Sequence, residues 1–344
     1  MMRTGCAGVL GGLVVGLLLL TMAGRYIQGA PAVLTGMITV LPWMWLALMG
    51  IAGAAGVAIQ RWWGWLPLVV ATLTWGGIWG RAWMPWRSDP GQTTLTVMTW
   101  NVARLWRGDE GEDINRSCVV NHIQEESPDA LALLEISAGQ VTRLSTELGM
   151  DCAHVDYHNA GRPDAGGLAV CARSPWTLGG RWARAFDPEV AWFYMIAELI
   201  HDTAPTINLL SVHLNPYRLQ QGGAAGRLAQ ADDIARAQAT QASGLLRIVE
   251  TFQDPTVVAG DFNSPRDSAV HVAMRTEMTD TWEQGAWGPG QTVSLLDQLP
   301  MRVDYIYTSR EHFSVVNAHI PESTCSDHKP IVSTITLSNQ DAAL

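Results

Sequence analysis

Two hydrophobic patterns divide the chain. Up to about residue 84 the apolar positions form long unbroken runs; after about residue 93 they form short runs, several of which end in one polar residue. Gly5–Gly24 is uncharged and about 20 residues long, enough for a helix to cross a bilayer core of roughly 30 Å. A second uncharged run covers 30–59, with Ile38–Ile59 as its spanning part, and a third runs from Trp63 to Gly80. Arg25, Arg61 and Arg81 punctuate the ends. Trp43, Trp45, Trp62, Trp63, Trp65, Trp79, Trp83 and Trp86 gather near those ends, as an aromatic belt does. The pattern predicts a helical membrane module over 1–84 with three transmembrane helices, 5–24, 38–59 and 63–80. A cleaved signal peptide for the first run and buried helices for the other two are the alternatives; two further apolar runs argue against a lone signal peptide. Three spans put the two ends of the chain on opposite sides of the bilayer. The arginine tally between the sides is nearly level, and Arg3 with the free amino terminus favours the N-terminus inside. The expectation is a multi-pass cell-membrane protein with its C-terminal domain outside the cytoplasm.

Pro85–Gln92 reads as a linker by its Pro, Gly and polar content. A domain over 93–338 and a short tail, 339–344, follow. Thr94–Trp100 reads as a strand delivering Asn101, and 129–134 as a strand delivering Glu135, with helices over 116–126 and up to about Leu148. Strands are predicted at 166–175, at 192–200, and at 206–212 delivering His213. A long Ala-, Gln- and Arg-rich helix covers 227–252. Val257-Val258-Ala259-Gly260 is a buried strand whose tip presents Asp261 and Asn263. Strands at 302–307, carrying Asp304, and at 330–337, preceded by Ser326-Asp327-His328, complete the chain.

Charge sharpens the division. Five of the 22 basic residues and one of the 32 acids lie in the first 90 positions, so the first part is positive and the rest, with 17 basic and 31 acidic residues, carries −14 against a net −10 for the chain. All 9 histidines lie there too. An acidic domain disfavours nucleic acid as a partner, since nucleic-acid binders present a basic face. Cys118, Cys152, Cys171 and Cys325 match no zinc spacing, and their pairing is not readable from sequence.

Each polar strand tip has a plain explanation. Asn101 suits a turn, Glu135 a helix N-terminus, His213 a satisfied core position, Asp304 a solvated strand face, and Asp261 with Asn263 an Asx-type turn. As a set they have the chemistry for hydrolysing a phosphate ester. Carboxylates and an amide are oxygen ligands for a hard cation such as Mg2+, histidines donate to phosphoryl oxygens and transfer protons near neutral pH, and a carboxylate behind a histidine fixes its tautomer. No P-loop and no serine nucleophile elbow is present.

Seven segments occur in the order of the endonuclease/exonuclease/phosphatase superfamily, which the chain resembles over about 93–338. They are Trp-Asn (100–101), Leu-Leu-Glu (133–135), Gly-Gly-Leu-Ala-Val with Ala-Arg-Ser-Pro (166–175), Val-His-Leu (212–214), Gly-Asp-Phe-Asn (260–263), Arg-Val-Asp-Tyr-Ile (302–306) and Ser-Asp-His (326–328). The resemblance implies an α/β fold, a four-layer α/β/β/α sandwich of DNase I type behind the membrane module. It also implies that Glu135 is the main metal ligand, with Asn101 and Asp327 near the metal. Asp261 and Asn263 would position or activate water, His213 and His328 would contact phosphate oxygens, and Asp304 would orient His328. Mg2+ is the expected cofactor, with Mn2+ as the substitute. Ala103 stands where abasic endonucleases carry an acid, which speaks against DNA repair. The fusion to membrane spans resembles the VanJ-type teicoplanin-resistance membrane phosphatases of bacteria, whose site is thought to face outward. It implies a bilayer partner and a lipid-linked (pyro)phosphate or phosphodiester substrate. A membrane-tethered nuclease and an inactive binding module are the other readings. The oligomeric state is not legible.

Overall fold

The computed structural model describes residues 42–59, 65–79, 84–90, 93–105, 112–157, 166–187, 190–216, 223–295 and 299–338, with isolated positions at 9, 12, 13 and 16. Two helices come first, α1 (Pro42–Ile59) and α2 (Leu66–Trp79). Most of the expected span 5–24 lies outside the described residues, as do 38–41, 63–64 and residue 80 of the other two. Helix α1 has 18 residues and α2 has 14. At 1.5 Å per residue they are about 27 and 21 Å long, below the roughly 30 Å of a bilayer core. Among the described residues, no helix is long and apolar enough to cross a membrane. The expected multi-pass membrane location, and the extracytoplasmic side inferred from it, are therefore not upheld. The apolar runs in the sequence are longer than the helices built from them. The two helices pack on one another, burying Ala52, Ala55, Ile59 and Ala71 and leaving Ile51, Val57, Leu66, Val69 and Leu73 exposed.

The remainder is two six-stranded sheets face to face. In chain order the elements are β1 (Thr94–Asn101), α3 (Glu112–Glu126), β2 (Ala130–Ile136), α4 (Ala138–Leu148), β3 (Asp151–Asp156), β4 (Gly167–Ala172), β5 (Thr177–Asp187), β6 (Val190–His201), β7 (Ala204–His213), α5 (Ala224–Val249), β8 (Thr256–Asp261), α6 (Ala269–Glu277), β9 (Met278–Asp280), α7 (Thr281–Gly285), β10 (Val293–Leu295), β11 (Leu299–Met301), β12 (Asp304–Ser309), β13 (Phe313–His319) and β14 (Ile331–Leu337). One sheet has the order β13-β14-β1-β2-β4-β3, the other β5-β6-β7-β8-β12-β9, and β10 and β11 form a separate pair. Both sheets are mixed: β1 runs parallel to β2 and β7 to β8, while the other pairs are antiparallel.

Side-chain alternation produces the layers. Alternate residues of both sheets, such as Leu134, Val170, Leu209 and Val257, meet in a central core. On the outer face of the first sheet, Leu131, Leu133 and Ala169 pack against Val119, Ile123 and Leu144 of α3 and α4. On the outer face of the second, Leu210, Val212 and Val258 pack against Leu245, Val270 and Met274 of α5 and α6. These are the four layers α/β/β/α of the sequence reading. Two disulfides reinforce the first sheet: Cys152–Cys171 joins paired positions of β3 and β4, and Cys118–Cys325 ties α3 to the segment before β14.

The strand pairings bring the polar residues together. In the pairing of β7 with β8, His213 lies opposite Asp261, and in β12 with β8, Asp304 lies opposite Asp261. β1 ends with Asn101 opposite Leu134, the residue before Glu135. Two glycines make the close approaches. Gly260 has φ +154°, and a Cβ there would collide with the Val212 carbonyl oxygen of the neighbouring strand. Gly166, at φ +73°, would place a Cβ 2.7 Å from the backbone carbon of Glu135.

Candidate active site

Asp261 is the centre of the cluster. It ends β8 and is 1 % exposed. Its two oxygens have different work. Oδ1 accepts the backbone N–H of Asn263 at 2.8 Å, the Asx-type bond that holds the tip in shape. Oδ2 faces the other strand ends: Asn101 Nδ2 donates to it at 3.2 Å, and Nε2 of His213 and of His328 lie 3.6 and 3.8 Å away. The turn and the site thus use opposite oxygens of one carboxylate. Burial and the charge of Asp304 push its pKa up to about 7, against the opposing effect of His328.

His328 has its other nitrogen on a carboxylate. Asp304 Oδ2 accepts from Nδ1 at 2.8 Å, and Asp304 is fully buried. Burial alone would lower the ring's pKa; the charges of Asp304 and Asp261 and the Asp304 hydrogen bond outweigh it and raise it to about 10. His328 is therefore an imidazolium at neutral pH. Its loop is held from several sides. Trp100 Nε1 donates to the His328 carbonyl at 2.9 Å, Ser326 Oγ donates to the Asn101 carbonyl at 2.8 Å, and Cys325 carries the disulfide to α3. Thr292 supports the partner strand: its Oγ accepts the backbone N–H of Val303 and of Asp304, and its carbonyl accepts that of Lys329.

Glu135 does not cap the helix that follows it. Ser137 does, in a capping box with Gln140. Glu135 instead interrupts the β2–β4 register between Leu134 and Ile136, with φ +55°, an unfavourable conformation for a non-glycine residue. Asn263 is likewise at φ +48°. Backbone strain of this kind collects at functional sites, because only a demanding side-chain placement holds it there. The Glu135 side chain is 22 % exposed, with Oε1 3.2 Å from Asn101 Nδ2 and 4.0 Å from His213 Nε2.

Of the sequence candidates, Asn101, Glu135, His213, Asp261, Asp304 and His328 form one connected cluster. Asn263 stands at its edge, donating from Nδ2 to the Leu214 carbonyl at 3.0 Å. Asp327 is exposed beside it, with Oδ1 3.2 Å from Ser326 Oγ, and its charge helps raise the pKa of His328. One candidate is turned differently from a metal ligand. Asn101 presents its nitrogen to Glu135 and Asp261, while its Oδ1 accepts from Ala103 N–H at 3.0 Å. A ligand role for that oxygen requires the amide to rotate.

The donor set fits a hard divalent cation. The part-exposed Glu135 carboxylate, joined to Asp261 through the Asn101 amide, and the exposed Asp327 carboxylate offer oxygens, and such cations take oxygen ligands and keep several waters. Asp261, Asp304 and His328 also form a compact group of metal-ligand type. There, however, the Asp304–His328 bond and the positive ring already neutralise the acids.

One member of the site has no sequence signal. Tyr157, in the turn after β3, places its hydroxyl 2.8 Å from His213 Nδ1 and is 1 % exposed. It follows the edge strand β3, and only the sheet packing brings it to His213. Arg302 belongs to the frame: it forms a buried bidentate pair with Asp280 at 2.8 and 2.7 Å. Removing one partner of such a pair costs about 3–5 kcal/mol.

The fold is similar to an endonuclease/exonuclease/phosphatase of Bacteroides vulgatus, at 18 % identity and a TM-score of 0.60, covering 72 % of this chain and 100 % of that one. It is similar to a mannosyl-6-phosphatase of Bacteroides thetaiotaomicron, at 17 % identity and 0.55, covering 71 % and 99 %. It is also similar to D. rerio TDP2 in complex with a single-stranded DNA product, at 17 % identity and 0.55, covering 71 % and 100 %. No curated protein matches the chain in sequence. The sequence profile described as Endonuclease/Exonuclease/phosphatase family matches residues 98–328, which include every residue of the cluster. The chain belongs to the endonuclease/exonuclease/phosphatase family.

Proposed function

We propose that the protein hydrolyses a phosphate ester with the help of a divalent cation, by direct attack of water on phosphorus. The observation that carries this reading is the convergence of two histidines and an amide on Asp261 Oδ2, with one of the histidines held as a cation by Asp304. Phosphoryl transfer asks a protein for positioning and charge neutralisation more than for covalent chemistry. In this reading Asp261 Oδ2 takes the proton of the attacking water as the water oxygen bonds to phosphorus. The ester P–O bond breaks and the departing alkoxide takes a proton from solvent. Asn263 fixes the tip that carries Asp261. His328, positive and anchored by Asp304, donates from Nε2 to a phosphoryl oxygen as charge builds on it. His213 donates to a second oxygen. Glu135, with Asp327 and a rotated Asn101, would hold Mg2+ or Mn2+, which supplies Lewis-acid neutralisation of the phosphoryl charge.

For the substrate we propose an ester outside nucleic acid. The support is the acidity of the chain, net −10, which works against the polyanion. The mannosyl-6-phosphatase shows that the same fold acts on a sugar phosphate. A nuclease is the second reading, favoured by the TDP2 complex, in which this fold holds a DNA product. The test is turnover with Mg2+ against a panel: a hexose 6-phosphate, a polyprenyl (pyro)phosphate, a phosphodiester and single-stranded DNA. Cleavage of the non-nucleic esters with DNA left intact supports the proposal. Preferential cleavage of DNA installs the nuclease in its place.

A further inference from the structure

His213 and His328 approach the same oxygen through Nε2, yet their backs are different. Behind His328 stands a carboxylate, Asp304, 2.8 Å from Nδ1. Behind His213 stands a phenol, Tyr157 Oη, also at 2.8 Å from Nδ1. A carboxylate can only accept, so it fixes a proton on Nδ1. A phenol can donate. Tyr157 is kept in its protonated, donating form, because burial and the charges of Glu135 and Asp261 raise its pKa well above 10. On the far side of the His213 ring, Nε2 faces carboxylate oxygens, Asp261 Oδ2 at 3.6 Å and Glu135 Oε1 at 4.0 Å. An N–H on Nε2 points at those acceptor oxygens, and the tautomer that carries it leaves a lone pair on Nδ1 for the phenol.

The phenol is also rigidly placed. Tyr157 belongs to the core between the sheets, and its backbone N–H donates to the Gly166 carbonyl at 3.0 Å. Gly166 in turn packs against the backbone of Glu135. A single loop contact thus references the His213 ring to the strand tip that carries Glu135.

We propose that Tyr157 is a positioning residue of the hydrolytic site: its hydroxyl donates to Nδ1 of His213 and holds the ring as the Nε2–H tautomer, aimed at Asp261 and at a phosphoryl oxygen. The assignment rests on the phosphoesterase reading for the role of that N–H. It makes the two histidines unequal. His328 brings charge, and His213 brings an oriented donor whose direction is set by a neutral group.

The test is long-range 1H–15N correlation on the full chain with ring-labelled histidine, at one fixed pH. The His213 signals are identified by their loss in His213→Asn. The expected wild-type result is an unprotonated, acceptor-type Nδ1 and a protonated Nε2 at His213. In Tyr157→Phe, which keeps the ring packing, those shifts should move toward a mixture of tautomers. Turnover of a phosphate ester should fall about 10- to 100-fold in kcat, as for other outer partners of site residues. A wild-type His213 ring protonated on Nδ1 overturns the proposal, as does a Tyr157→Phe protein with unchanged His213 shifts. If Tyr157→Phe does not fold, the wild-type tautomer alone decides. The spectrum needs no substrate, so failure to hydrolyse any ester counts against the reaction and leaves the tautomer separately decided.

Discussion

Asp304 holds Nδ1 of His328 at 2.8 Å with one oxygen, and its other oxygen, Oδ1, has no hydrogen-bond partner among the described residues. A fully buried carboxylate is thereby committed to one ring, and the ring's side chain is 13 % exposed toward the site. Asp304→Asn keeps the shape and removes the charge. It should cost about 3–5 kcal/mol of stability, as when a buried pair loses one charge, and lower kcat by about 10²- to 10⁴-fold, the range for losing a histidine's orienting acid or a proton-transfer group. Steady-state kinetics with a melting curve on the same sample checks this. A variant with wild-type kcat would remove the pair from the mechanism.

The pH profile should be a bell. Asp261 must be ionised to take a proton, and its pKa is raised to about 7 by burial and by Asp304, so activity rises as pH climbs through that value. His328 must be protonated to donate. Its pKa is raised to about 10 by Asp304 and Asp261 against the effect of burial, so activity falls as pH passes that value. A bound cation favours the less positive form of each group, so adding Mg2+ should move both limbs downward together. Measuring kcat/KM from pH 5 to about 11 tests both signs. An acid limb that moved upward with metal would contradict the placement of Asp261.

Glu135→Gln removes one negative charge from the candidate cation site without changing volume. Turnover should fall by about 10²-fold or more, and the Mg2+ concentration for half-maximal activity should rise. A titration of activity with Mg2+ reads both effects. Wild-type behaviour at low Mg2+ would strike Glu135 from the ligand set.

The Cys118–Cys325 bridge closes a separation of 207 residues and ends one residue before Ser326. In the chain-entropy account a loop of that length is worth about 5 kcal/mol of stability. Cys118→Ser should lower the free energy of unfolding by several kcal/mol and reduce kcat by loosening the loop of Asp327 and His328. Denaturant unfolding and activity under native conditions measure the two separately. An unchanged midpoint would show that the bridge carries no stability.

What was legible in the sequence was what lies at the end of a hydrophobic run. Asn101, His213 and Asp261 each close a buried strand and Glu135 follows the apolar run of another, so the run itself announces them. Residues whose role comes from packing gave no such notice. Tyr157 follows an edge strand with mixed exposure, and the cysteine partners are set by sheet register and by the fold, not by spacing. Strand β5 was hidden by Gly179, Gly180, Arg181 and Arg184, polar or glycine positions suited to an edge strand. Arg302 read as part of a strand, but it lies before β12, where its guanidinium is taken by Asp280. By length the apolar N-terminal runs read as spans, whereas the two helices described there have 18 and 14 residues and neither is long and apolar enough to cross a membrane.

The central claim is that water attacks phosphorus directly with Asp261 as its proton acceptor. The most direct measurement is single-turnover hydrolysis of a phosphate ester in ¹⁸O-labelled water with Mg2+, followed by mass analysis of both products. The account predicts one solvent oxygen in the phosphate product, none in the released alcohol, and loss of the reaction in Asp261→Asn. Label in the alcohol, or full incorporation by Asp261→Asn, would contradict it.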